Sequence, residues 1–141
     1  MQERWKEVAE REKGETHEEK AAGLYFDLKE KAEKDPALAG LFAEVEKWVK
    51  EYAFAVLKTQ RDKTEHPSKE VIEAHEQHRR TVHNALISVL RQLSRNFQKK
   101  GLDNSWRHGV GLDPEDREVL GQWALDVVRG VMDIKEEEEV R

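Results

Sequence analysis

Cysteine is absent from the 141 residues, which excludes disulfides, cysteine–zinc centres and thiol nucleophiles together. That absence fits a cytoplasmic protein. Turns are scarce as well, because the chain has only three prolines and eight glycines to make them with. No apolar run approaches the roughly 18 residues of a membrane span. The opening Met1-Gln2-Glu3-Arg4-Trp5-Lys6 lacks the apolar stretch a signal peptide needs. The expectation is a cytoplasmic protein without membrane contact. Asn, Gln and Met are few beside abundant Glu, Lys and Arg, a composition shared with many thermophile proteins.

What the chain does have is charge. Charged residues make up 39% and apolar ones 37%, the balance of helices with one wet face. The length suits one domain with one core, over residues 1–141. The predicted fold class is all-α: an antiparallel bundle of four to five helices around a long central hairpin.

Caps and periods place the elements. Trp5, Val8 and Ala9 make a short stripe on a helix over 2–13, ended near Gly14. Thr16 and Glu19 form a capping box for a helix over 17–34, with the stripe Ala21, Leu24, Tyr25, Leu28 and Ala32. Asp35-Pro36 is a cap followed by proline at the first helical position. From it Leu38, Leu41, Val45, Trp48, Tyr52 and Val56 recur through a helix over 36–64. His66-Pro67 breaks the chain, and Ser68 caps a helix over 68–100 that Gly101 stops. So short a break makes the pair an antiparallel hairpin. Asp113-Pro114 opens the last helix, over 114–135, ahead of an acidic tail over 136–141.

The 68–100 helix departs from its own pattern. Its seam at heptad spacing is Ile72, His75, Arg79, Val82, Leu86, Val89, Leu93 and Asn96. His75 and Arg79 stand where apolar residues belong, with His78 and His83 on the flanks. Three explanations fit: an end open to water, a buried polar layer that fixes register, or a ligand pocket. Thr59, Gln60 and Lys63 are polar at the same end of the partner helix, which suits the first. A dedicated metal site is not expected. No histidine has Glu three residues before it, no His-x-x-x-His pair occurs, and Arg79 and Arg80 would repel a cation. No cofactor is expected either.

From Gln77 to Lys100 there are six basic residues and no acidic one, leaving 19 basic against 30 acidic residues elsewhere. Arg80, Arg91 and Arg95, with Lys99 and Lys100 at the end, could track a phosphate backbone as an anion-binding face. The alternative is that this face meets acidic neighbours within the chain or across a dimer. Farther on, Gly109 and Gly111 begin a Gly-x-Gly, but no third glycine follows and no strand precedes, which excludes dinucleotide binding. Trp106 in that loop reads as a plug for the bundle end or a stacking surface, with Arg107 beside it as an anion donor.

His83-Asn84-Ala85-Leu86-Ile87-Ser88, Leu93-Ser94-Arg95-Asn96, Trp106-Arg107, Leu112-Asp113-Pro114-Glu115-Asp116-Arg117 and Gly121-Gln122-Trp123-Ala124 resemble a family of small helical bacterial proteins. That family, mostly from Firmicutes, is described as a domain of unknown function. The resemblance spans about residues 79–128 and implies a bacterial cytoplasmic helical protein, with no catalytic residue to transfer. It also implies that Arg79, His83, Asn84, Arg95, Trp106, Arg117 and Trp123 converge in one polar cluster.

Three functional expectations result. The first is a non-enzymatic interaction or regulatory protein, homodimeric through the long hairpin, since Phe42, Trp48 and Tyr52 exceed what a short bundle needs to bury. The second is binding of an anion or nucleic acid by the basic face. The third is a small-molecule or catalytic pocket around His75, His78, Arg79 and His83.

Overall fold

A computed structural model of the chain describes residues 17–132. The expected helix over 2–13, the Thr16 cap and the tail over 136–141 lie outside the described residues. Within them the chain is all-α, with five helices and no strand. They are α1 (His17–Glu33), α2 (Pro36–Glu65), α3 (Lys69–Lys99), the single turn α4 (Trp106–Gly109) and α5 (Arg117–Gly130).

α2 is the central element. It packs against α1, α3 and α5, while α1 also meets α4 and α5. Accordingly Tyr52, Ala53, Phe54, Ala55, Val56 and Leu57 are all buried in succession, as a helix covered on every side requires. One cluster of buried side chains runs through all five helices. Tyr25 of α1 joins it edge-on to Phe26 and tilted against Phe42. The Tyr25 hydroxyl donates to the Glu46 carboxylate. Burial, with that carboxylate beside it, pushes the phenol above its ordinary range.

The caps explain the boundaries. Asp35 accepts from the amides of Ala37 and Leu38 at 2.9 and 3.4 Å. It also takes Lys100 Nζ at 2.5 Å, and this lysine holds its carboxyl below the usual carboxylate range. The hairpin turns at His66, in the left-handed region at φ 51°, and Ser68 Oγ accepts from Val71 N. α3 ends in a Schellman arrangement. Leu102 N bonds Phe97 O at 2.9 Å and Gly101 N bonds Gln98 O at 3.1 Å, with Gly101 at φ 68°.

One boundary differs from the expected helix over 114–135. α5 starts at Arg117, because Asp116 rather than Asp113 is its cap. Asp116 is extended, and its carboxylate accepts from Glu118 N and Val119 N at 3.0 and 3.1 Å. Asp113-Pro114 lies instead in the turn leading up to it. Asp113 there receives Arg107 at 2.8 Å. The Asp113 carboxylate is thereby engaged outside the helix, and the cap nearer the apolar stripe prevails. The helix ends at Gly130, with Val131 as cap.

Candidate functional site

The polar half of α3 closes on the matching end of α2. Thr59 and Asp62 face the hairpin seam and are buried, at 7% and 6% exposure. His75 Nδ1 lies 2.8 Å from Asp62 Oδ2, the N–H donating to the carboxylate. One turn along, Arg79 Nη1 donates to Thr59 Oγ1 at 2.6 Å, and Thr59 donates to Val56 O. The seam therefore holds a polar layer bridging the two helices. It needs acceptors on α2, since a buried guanidinium or imidazole without partners is costly. The layer does not fully satisfy Arg79: its Nε is buried and has no partner.

Outside this layer a cleft of about 490 Å³ opens between the hairpin and the start of α5. Its lining includes Thr59, Asp62, Lys63 and His66 from α2 and its cap. Ile72, Glu76, Arg79 and Arg80 come from α3, and Arg117 from α5. His75 holds Asp62 from behind without lining the cleft. Four permanent cations thus converge from three helices beside two carboxylates, one of them already engaged.

Arg117 is the least expected of them. It occupies the first turn of α5, where the helix dipole favours acidic side chains over basic ones. No carboxylate among the described residues pairs with Arg117 or Lys63. Arg80 donates to Gln77 Oε1 at 2.9 Å, so Glu76, four residues before it, is left without the i,i+4 partner its spacing would supply.

The other sequence-derived candidates are placed elsewhere. His78 and Asn84 are exposed. His83 is buried edge-on to Tyr52, with ring centres 5.6 Å apart. Its Nδ1 lies 3.3 Å from Asn84 Oδ1 and its Nε2 4.0 Å from Glu115. The basic face is partly neutralised within the chain. Arg91 lies 3.8 Å from Glu115, and Lys100 is held by Asp35. Arg95 and Lys99 are exposed. Trp106 is buried edge-on to Phe97, 5.7 Å away, and closes the end of the core. Arg107 ties its loop to Asp113.

The seven residues expected in one cluster are consequently divided among separate places. Arg79 and Arg117 share the cleft, His83 lies under Glu115, and Trp106 stands with Phe97. His75 and Arg79 both face the α2 seam, where His75 meets Asp62 and Arg79 meets Thr59, while His78 and His83 lie elsewhere. Asp62 does not stand out in the sequence. Continuing the α2 stripe by three from Thr59 lands on it, and that spacing was the available signal.

Among the described residues no group of three or more His, Cys, Asp or Glu is arranged to hold a metal ion. No helix there is long and apolar enough to cross a membrane. No family model, curated protein or solved structure is a match for the chain.

Proposed function

We propose that this chain is a non-catalytic binding protein for a small anionic ligand, taken up in the cleft between the hairpin and α5. One observation carries the reading: Lys63, Arg79, Arg80 and Arg117 converge on a single cleft in a chain of net charge −5. Gathering like charges is unfavourable unless something answers them. Asp62 is occupied by His75, and Arg79 and Arg117 remain short of partners. Guanidinium groups suit phosphate and carboxylate oxygens through their forked donors. The expected result is binding of inorganic phosphate or pyrophosphate by calorimetry, weakening as salt is raised. Arg117→Ala, at an exposed position, should weaken it about tenfold, the loss of roughly one charge-assisted contact. No binding at low salt, or binding indifferent to Arg117→Ala, removes the reading.

Self-association is a second reading, supported by a different surface. A groove between α2 and α3 is lined by Ala37, Gly40, Leu41, Trp48, Ala85 and Val89, with Glu44, Ser88 and Gln92 among them. The bundle buries Phe42 and Tyr52, but Trp48 stays half-buried, and small residues beside it admit close helix approach. A second copy seated there would give a dimer mass in sedimentation, shifted to monomer by Trp48→Glu. A monomer of the unaltered chain at micromolar concentration ends this reading.

A further inference from the structure

We infer that the ligand of the cleft is a phosphate monoester on a hydroxylated carbon skeleton of sugar size. This rests on the anion-binding reading above and adds the identity of the anion and of what it is attached to. The charge argues for phosphate. A carboxylate offers one charge and two oxygens, both of which a single arginine fork already engages. A phosphate monoester carries about −1.5 to −2 and three terminal oxygens, enough to engage Arg79, Arg80 and Arg117 together.

The remainder of the cleft argues for an organic body. Its volume of about 490 Å³ falls in the range of roughly 300–1,000 Å³ typical of pockets for small organic molecules. Inorganic phosphate would leave most of it to water. Ile72 supplies an apolar surface for carbon atoms, and Glu76 supplies a carboxylate without an ion-pair partner among the described residues. A carboxylate set among arginines opposes the anion, so it needs a compensating role. Accepting hydrogen bonds from ligand hydroxyls is the role its chemistry allows. The same carboxylate, with Asp62, disfavours a run of phosphodiesters, which would bring further negative charge past them. A single terminal phosphate avoids that repulsion.

Calorimetry on the full chain with inorganic phosphate, ribose 5-phosphate and ribose tests this, using the unaltered protein, Glu76→Ala and Glu76→Gln. Glu76 is exposed, and an unchanged melting curve establishes that each variant folds. Ribose 5-phosphate is expected to bind at least about tenfold more tightly than phosphate, a difference of about 1.4 kcal/mol, while ribose alone gives no heat. In Glu76→Ala that advantage should fall below about threefold, with phosphate binding kept or tightened because a repelling charge is gone. Glu76→Gln, which keeps an acceptor oxygen, should retain part of it. Equal affinity for the two phosphates, or an advantage unmoved by Glu76→Ala, overturns this inference and leaves the anion reading standing. Binding of neither phosphate overturns both.

Discussion

Gly111→Ala is expected to lower the unfolding free energy by about 2–4 kcal/mol, whereas Gly109→Ala two residues earlier should change it by less than about 1 kcal/mol. Both belong to the Gly-x-Gly of the α4 loop, yet their surroundings differ. Gly111 sits at φ 81°, a conformation that costs any residue with a side chain about 1–2 kcal/mol. A Cβ there would also stand 2.7 Å from Leu120 N and 2.8 Å from Asp116 O. Those are backbone atoms at the start of α5, where Gly111 O also accepts from Asp116 N at 2.9 Å. They cannot withdraw without moving the cap of the helix. A Cβ on Gly109 would meet only Leu24 Cδ2, at 2.9 Å, the far end of a side chain that can rotate away. Denaturant melts compare the two, and the loss should come as a lower midpoint at an unchanged slope. Equal effects at the two positions would show that the turn does not depend on the Gly111 backbone. The pair is thus a structural turn, which explains a glycine motif without the strand and third glycine of a nucleotide loop.

That loop also marks the limit of what the sequence disclosed. Boundaries set by contacts a few residues apart were legible: Asp35-Pro36, Ser68 and Gly101 each cap or stop a helix by local hydrogen bonds. The start of α5 was not, because two aspartates compete there and either could cap. Glu115, which lies between them with Pro114, is turned toward Arg91 and His83 on α3, a tertiary contact that no local signal reports. The polar seam was legible as an anomaly, since His75 and Arg79 break a heptad pattern visible in one helix. Its resolution required the partner helix. Asp62 and Thr59 answer them at separations of 13 and 20 residues, and register across a hairpin is not fixed by periodicity within either helix. Arg117 was harder still: it joins the cleft only because α5 begins beside the turn end of the hairpin.

Phe97→Ala should cost about 3–5 kcal/mol, the range for emptying a buried aromatic position, and His75→Ala about 1–3 kcal/mol. His78→Ala should stay within about 0.5 kcal/mol. All three lie on α3, and the gradient follows what each touches. Phe97 is fully buried and packs edge-on against Trp106, so its removal leaves a cavity that α3 and α4 cannot close together. His75 is partly exposed, at 27% of its side chain, but its loss strands the Asp62 carboxylate, which is only 7% exposed. His78 projects into water. Denaturant melts of the three variants measure the order, and a His75→Ala loss equal to that of Phe97→Ala would contradict it. The same gradient predicts amide exchange along α3: slow from Val82 to Phe97, where the buried side chains are, and faster from Lys69 to Arg79. The half of α3 that carries Glu76, Arg79 and Arg80 is held to α2 by the His75–Asp62 and Arg79–Thr59 bonds more than by core packing, so it should open at lower cost than the other half.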